Sequence, residues 1–473
     1  MISTESIICA AELGRTNYSR VDPRVLQYGT AGFREKAQDL SHVLYRMGLL
    51  AAIRSTVAKG TVGIMVTASH NPVADNGVKL VDPSGEMLVA EWEDIATTLA
   101  NARPSSDSLA SAAKEGAEIL GAIVKDFGVV TTPELHFVTA ARNAGVLAGS
   151  VSGNYEPIVA VDGANGVGAL KIKLIQPRIS QFLTLNLINE GDGELNHLCG
   201  ADFVKVQQKA PKGLEGCKQR GASLDGDADR IIYFYHDDDG TFHMLDGDKI
   251  ATLVAGYLQE LVTKSGLSLN LGIVQTAYAN GSSTTYISEQ LKVPVACVPT
   301  GVKHLHHKAG DFDIGVYFEA NGHGTVLFSN HAREQVQNEN NMINQNTGDA
   351  LADLLLVELI LHARGWSARD WDNAYTDLPN RQLKVKVKDR RVVTTTDAER
   401  KCVTPAGLQD RIHAAATSFP RGRAFVRPSG TEDVVRVYAE AATQREADQL
   451  ANQVAQATFD LAGGTQLSLI PLE

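Results

Sequence analysis

Val62-Gly63-Ile64-Met65-Val66-Thr67-Ala68-Ser69-His70-Asn71-Pro72 joins a short apolar run to a polar loop closed by proline. The run reads as a buried strand, and Pro72 pushes Asn71 out of helical geometry, so a shaped turn follows rather than a helix entry. The same texture recurs at Ile158-Val159-Ala160-Val161, Ile231-Ile232-Tyr233-Phe234-Tyr235, Leu271-Gly272-Ile273-Val274 and Ile314-Gly315-Val316-Tyr317-Phe318. Between these runs, residues 41–57, 247–262, 349–363 and 445–461 space their apolar side chains at helical period. The alternation predicts an α/β fold with largely parallel sheets, whose strands are apolar on both faces. Leu383-Lys384-Val385-Lys386-Val387 alternates instead, which marks a strand with one wet face.

The 473 residues leave room for about three to four domains. Small residues at 148–154 and a soft point at 264–266 suggest four units, at 1–150, 151–265, 266–378 and 379–473, with no fixed-period repeat. An amide-rich stretch at 335–347 reads as a surface loop. With 44% hydrophobic and 21% charged residues, the chain can bury several cores and is not disordered. A net charge of −11 makes nucleic acid a poor partner, although a local basic patch can still capture a small phosphorylated ligand. The five cysteines are scattered, with no CxxC pair, and support neither a disulfide framework nor a zinc site. No apolar run approaches the ~18 residues that span a bilayer, and the N-terminus has no basic region followed by a long apolar core. A reduced, cytosolic, enzyme-like protein is expected, with no membrane partner.

Three stretches can carry chemistry. In the first, Thr67 to Pro72, the Ser69 hydroxyl is displayed beyond a strand end with the His70 imidazole beside it, where α/β sheets bind ligands. A plain hydrogen-bonded turn is the bland alternative, and a serine-hydrolase elbow is absent. The second is Asp225-Gly226-Asp227-Ala228-Asp229-Arg230, in which three alternate carboxylates repel one another unless a cation gathers them. A hard divalent ion such as Mg²⁺ suits this donor set. An EF-hand would need Gly and Glu where Arg230 and His236 stand, whereas Asp237-Asp238-Asp239-Gly240 needs no metal and reads as a hairpin turn. The third is Arg427-Pro428-Ser429-Gly430-Thr431-Glu432-Asp433-Val434-Val435-Arg436, where two guanidiniums flank a turn whose hydroxyls and N–H groups can converge on one anion. An ordinary β-turn remains open there, and neither a P-loop nor a G-x-G-x-x-G fingerprint occurs.

Lesser candidates accompany these. Glu319-Ala320-Asn321-Gly322-His323-Gly324-Thr325 ends a strand with polar groups able to read sugar hydroxyls. Tyr28-Gly29-Thr30-Ala31-Gly32-Phe33-Arg34 presents a glycine-flanked arginine. Gly301 to Lys308 is histidine-rich, but no carboxylate or cysteine at ligand spacing supports zinc. Asp162-Gly163-Ala164-Asn165-Gly166-Val167-Gly168 reads equally as a phosphate turn or as a tight strand-to-helix turn.

Together these motifs resemble the α-D-phosphohexomutase superfamily, in the right order and over nearly the whole chain. In that superfamily the serine of a T-A-S-H-N-P loop carries a phosphoryl group, D-G-D-x-D-R holds magnesium and R-x-S-G-T binds substrate phosphate. The runs 28–34, 196–202, 275–281 and 319–325 resemble the members that act on N-acetylated amino sugars. The resemblance implies three related mixed-sheet α/β domains plus a smaller C-terminal α+β domain. It also implies interconversion of N-acetylglucosamine 6-phosphate and 1-phosphate, a step toward UDP-N-acetylglucosamine, through a phosphoserine and a 1,6-bisphosphate that serves as intermediate and activator.

Carried over residue by residue, Ser69 is the phosphoserine, and Asp225, Asp227 and Asp229 hold Mg²⁺ with a Ser69 phosphate oxygen. Arg34 and Arg230 stabilise the phosphoryl group in flight, Lys79 is the general base, and His70 orients or shuttles a proton. His304, Glu319, Ala320 and Asn321 line the sugar pocket, and Arg427, Pro428, Ser429, Gly430, Thr431 and Arg436 clamp the other phosphate. A monomer and a homodimer both stay open. So do a phosphoglucomutase or phosphomannomutase, a magnesium phosphatase, and a non-catalytic sugar-phosphate binder. The last reading draws on one departure: residues 99–106 run straight on where relatives carry a strand ending in a G-R-D-x-R-like segment. Residues 142–157 and 329–347 are short as well. A shortened first domain is expected to expose sheet edges and weaken the scaffold beneath Ser69.

Overall fold

The computed structural model describes residues 25–29, 32–67, 74–83, 85–101, 158–180, 183–336, 343–430 and 432–471, with Ala10, Leu13, Tyr18, Ala113, Lys114, Ala117, Glu118, Ala122 and Val124 as isolated positions. Each apolar run singled out in the sequence forms a strand, because β-branched and aromatic side chains fit a pleated, buried surface. Contacts group the chain into two units, residues 1–247 with 321–325 and 339–368, and residues 248–320 with 326–338 and 369–473.

The first unit holds two sheets. One comprises β1 (Phe33–Lys36), β2 (Gly63–Val66) and β3 (Asp75–Val81) in the order β1-β3-β2. Both pairings are antiparallel, which corrects the expectation of a largely parallel sheet here. The link from β2 to β3 covers only residues 67–74, shorter than the dozen or so residues that a parallel crossover needs. Helix α1 (Ser41–Ala58) buries Val43, Leu44, Met47 and Leu50 in one core with Phe33, Val78 and Leu80. Helix α2 (Ala90–Ala100) adds Ala96 and Ala100 to that core, and the Asn101 amide that closes it donates to the Leu26 carbonyl at 2.6 Å. The segments 102–106 and 142–157, where shortening is expected, lie outside the described residues.

The other sheet, β4 (Ile158–Asp162), β5 (Thr184–Ile188), β6 (Arg220–Leu224), β7 (Ile231–His236) and β8 (Phe242–Leu245), runs in the order β5-β4-β6-β7-β8. It is mixed: β4 pairs parallel with β5 and β6, then β6-β7 and β7-β8 are antiparallel. The Asp237–Gly240 stretch forms the expected hairpin turn, with Gly240 at φ +89°. The 225–230 segment is the other short turn, between β6 and β7.

A third sheet, β9 (Leu271–Gln275), β10 (Val295–Cys297), β11 (Ile314–Phe318) and β12 (Gly324–Phe328), runs in the order β10-β9-β11-β12 and belongs to the second unit except for Gly324 and Thr325. Here β9 pairs parallel with β10 and β11, and β9 and β11 are buried along their whole length, as the sequence leads one to expect. The other main sheet of the second unit, β16 (Arg423–Pro428), β17 (Val434–Glu440), β13 (Asn380–Val387) and β18 (Gly464–Leu467), is antiparallel throughout. Helix α9 (Gln444–Leu461), started by a Thr443–Glu446 capping box, buries Leu450, Ala451 and Val454 in the core of that sheet.

Of the 335–347 stretch, residues 337–342 lie outside the described residues, and the rest is not simply a surface loop. Residues 330–336 are helical, and Asn344 and Thr347 are buried, with Thr325 Oγ1 donating to the Asn344 carbonyl at 2.7 Å. The described end of the stretch leads into helix α7 (Ala350–Arg364), which starts against the 225–230 turn. There the Ala350 N–H donates to the Ala228 carbonyl at 3.1 Å.

Candidate active site

The turn from β6 to β7 is tight, and Ala228 adopts a left-handed φ of +56° within it. The three alternate carboxylates are thereby drawn inward. Asp225, Asp227 and Asp229 are 0%, 3% and 5% exposed, and one ligand oxygen from each lies within 4.8 Å of the others. The Asp225 carboxylate accepts from the N–H groups of Asp229 (3.0 Å) and Arg230 (3.2 Å), which fixes it against its own turn. Burial, then the charges of Asp229 and Asp227, push the Asp225 carboxyl well above the usual range. Burial would raise Asp229 too, but His323, Lys79 and Arg230 together hold it well below that range. Three buried carboxylates with no nitrogen or sulfur donor among them fit a hard, oxygen-preferring divalent cation.

Cationic side chains surround this cluster. Lys79, on β3, places Nζ 3.7 Å from Asp229 Oδ2. Arg230 Nε lies 3.8 Å from oxygens of both Asp225 and Asp229. Arg34, on β1, donates from Nη1 to the Thr67 carbonyl at 2.6 Å. Burial lowers the Arg34 pKa, against the opposing pull of Asp227 and Asp229. The structure thus brings together Arg34, Lys79, Asp225, Asp227, Asp229 and Arg230, which the sequence offers from three separate stretches. Ser69 and His70 lie outside the described residues.

Two members of the cluster had not been singled out. His323 Nδ1 lies 3.3 Å from Asp229 Oδ1. Gly322 makes this possible: its φ is +87°, and a Cβ there would meet the Ile231 carbonyl at 2.0 Å, so the loop can lie flat on the start of β7. Thr67 Oγ1 donates to Asp227 Oδ2 at 3.0 Å. Both residues stand inside quoted motifs, which was the available signal. Asn321 turns its side-chain oxygen back to accept from the His323 N–H at 3.0 Å.

In the second unit, Arg427 and Arg436 are direct cross-strand partners on β16 and β17. Like charges so placed repel unless an anion lies between them. The turn beyond Arg427 is closed by the Ser429 N–H donating to the Val434 carbonyl at 2.8 Å, and space is open around Gly430. Thr431 lies outside the described residues. Arg427 Nε sits 3.2 Å from Glu399 Oε1, and Glu399 Oε2 accepts from the Thr300 N–H at 2.8 Å. Glu399 had no sequence signal. His304 is exposed in the first turn of helix α6 (Val302–Ala309), Glu319 is half-buried, and Ala320 is buried at the end of β11. Nearby, His306 Nδ1 lies 3.1 Å from the Tyr317 hydroxyl.

Three family models match the chain. They are described as Phosphoacetylglucosamine mutase AMG1, domain III, over residues 246–342; Phosphoglucomutase/phosphomannomutase, alpha/beta/alpha domain I, over residues 36–102; and the Phosphoglucomutase/phosphomannomutase C-terminal domain, over residues 383–457. Human phosphoacetylglucosamine mutase is 50% identical over 527 aligned residues, covering 95% of this chain and 97% of that protein. Since that alignment is longer than the 473-residue chain, the human protein carries segments that this one lacks. The crystal structure of Aspergillus fumigatus N-acetylphosphoglucosamine mutase with GlcNAc-6P and magnesium is 41% identical, with a TM-score of 0.88 over 97% of this chain and 99% of that one. A serine-to-alanine variant of the Aspergillus enzyme, in complex with glucose 1,6-bisphosphate, is 40% identical, with a TM-score of 0.91 over 98% and 100%.

Proposed function

The chain belongs to the phosphoacetylglucosamine mutase family of the α-D-phosphohexomutase superfamily, with that superfamily's four-domain α/β architecture, and from this we propose its reaction and the residues that perform it. It interconverts N-acetylglucosamine 6-phosphate and N-acetylglucosamine 1-phosphate, on the route to UDP-N-acetylglucosamine. The domains divide at 1–150, 151–265, 266–378 and 379–473. No described helix is long and apolar enough to cross a membrane. The cytosol is the compartment proposed, from the scattered cysteines with no CxxC pair.

The observation that carries this reading is the buried Asp225–Asp227–Asp229 cluster, with Lys79 against it and Thr67, two residues before Ser69, bonded into it. Magnesium held by the three carboxylates supplies positive charge for the transferring phosphoryl group. Everything else falls to the chain's own side chains, because phosphoryl transfer needs placement and charge more than covalent chemistry. Phospho-Ser69 passes its PO₃ group to the free sugar hydroxyl, breaking the Ser69 O–P bond and forming a sugar O–P bond. Lys79 takes the proton that the hydroxyl loses and passes it to the departing Ser69 oxygen. The sugar now carries phosphates at both ends. After it turns over, Ser69 attacks the other phosphate and the proton returns to the departing sugar oxygen. Arg34 and Arg230 stabilise the charge in flight, while His70 orients the loop. Arg427, Ser429, Gly430, Thr431 and Arg436 hold the phosphate that is not reacting, and Glu319, Asn321 and His304 read the sugar.

A coupled assay of the purified chain with N-acetylglucosamine 6-phosphate, Mg²⁺ and a trace of sugar bisphosphate tests this. The 1-phosphate should form, and Ser69→Ala should abolish its formation. Equal rates with glucose 1-phosphate would overturn the substrate, and inorganic phosphate as main product would make the protein a phosphatase.

A further inference from the structure

Thr67, which follows β2, is held at three points. Its N–H donates to the Gly77 carbonyl at 3.1 Å, and its own carbonyl accepts from Arg34 Nη1 at 2.6 Å. Its hydroxyl donates to Asp227 Oδ2 at 3.0 Å, 160 residues away in sequence. The first two contacts involve the backbone and would survive any side chain. The third needs a hydroxyl, which has a single proton to give. Thr67 is 8% exposed and Asp227 3%, so water competes little for that bond.

We propose that Thr67 is a positioning residue that acts through Asp227, its hydroxyl fixing that carboxylate's rotation so that the acid is ready to receive a divalent cation. The inference rests on the metal reading of the Asp225–Asp229 turn and deepens it. Groups that orient a metal ligand from outside the coordination sphere are commonly worth about 10–100-fold in metal affinity. The same residue joins two sheets of the first unit. The bond ties the residue at the end of β2 to a carboxylate of the turn between β6 and β7.

The test is direct binding of Mn²⁺ to the full-length chain, followed by electron paramagnetic resonance of the free ion. Thr67→Val exchanges the hydroxyl for a methyl at nearly constant volume and should raise the Mn²⁺ dissociation constant about 10–100-fold. Thr67→Ser, which keeps the donor, should stay within about threefold of the parent. A merely structural role would instead lower the melting temperature in EDTA and leave Mn²⁺ affinity alone. Should Thr67→Val not fold, Thr67→Cys, a weaker donor of similar shape, should bind Mn²⁺ with a clearly raised dissociation constant. Parent-like Mn²⁺ binding by the folded Val or Cys variant overturns the inference by itself. Failure of the parent chain to bind Mn²⁺, or indifference of binding to Asp227→Asn, overturns the metal reading and the inference with it.

Discussion

Asp353 lies in the first turn of α7, 1% exposed, outside the chemistry described above. Burial pushes its carboxyl well above the usual range, the nearby charge of Asp349 adds to that, and a backbone hydrogen bond at Asp349 opposes it. Because the folded state holds this proton more tightly than the unfolded chain, its contribution to stability is complete below the unfolded pKa of about 3.9 and is lost as pH rises toward the folded value. Asp353→Asn, which never ionises, should therefore gain on the parent as pH rises. We expect the difference in unfolding free energy, from urea melts in EDTA, to grow between pH 5 and pH 8. An equal difference at both pH values would show that the acid costs nothing. At this scale the sequence was most readable where chemistry needs a fixed local spacing. Alternate aspartates separated by small residues announce a cation site within six positions, and the buried cluster has the residues so chosen. Asp353 gave no such sign, since an acid four residues after a helix N-cap is ordinary on a surface.

The first sheet shows how elements aim side chains. In the β1–β3 register Arg34 stands opposite Gly77, and a Cβ on Gly77 would lie 2.2 Å from Arg34 Nη1 and 2.3 Å from the Phe33 carbonyl. Only glycine leaves the guanidinium a path across β3 to the Thr67 carbonyl. Gly77→Ala should displace Arg34 and lower kcat by about 10²–10³-fold, as the loss of one preorganised donor does. Overpacking should cost a further ~1–3 kcal/mol of stability. Adding Gly77→Ala to Arg34→Ala should then change kcat little further, because both changes remove the same interaction. Full additivity in kcat would mean that Gly77 acts by another route. Strand and helix positions were legible because burial leaves a period in the residues; strand direction was not. That is decided by link length, and the short 67–74 connection forces antiparallel pairing on an apolar run that would suit a parallel sheet as well. Glu399 was invisible for a related reason. It reaches Arg427 from a turn in which Asp397, Ala398 and Glu399 all take φ between 53° and 66°, a conformation that nothing in their identities foretells.

Across the whole chain, the order of the motifs was readable because each is local, whereas their grouping was not. The 319–325 stretch reads as one sugar loop, yet residues 321–325 belong to the first contact unit and Glu319 and Ala320 to the second, a division made by the chain's return through 339–368. The described core around α1 is closed, with Phe33, Leu44 and Val78 each at most 1% exposed. Lys79 and Arg34 are carried by this packed sheet. The cycle imposes one further condition. Ser69 ends a turnover phosphorylated only if the 1,6-bisphosphate stays bound until the second transfer, and each escape of that intermediate leaves an enzyme with no phosphoryl group to give. Activity of the purified chain should accordingly depend on its phosphorylation history. After phosphatase treatment and removal of the phosphatase, N-acetylglucosamine 6-phosphate with Mg²⁺ should turn over with a pronounced lag. A trace of glucose 1,6-bisphosphate should abolish the lag, and mass spectrometry should find one phosphate restored on the peptide containing Ser69. Full initial rate from the dephosphorylated chain, with that peptide unmodified throughout, would mean that the transfer bypasses the serine and that the two-step cycle is wrong for this protein.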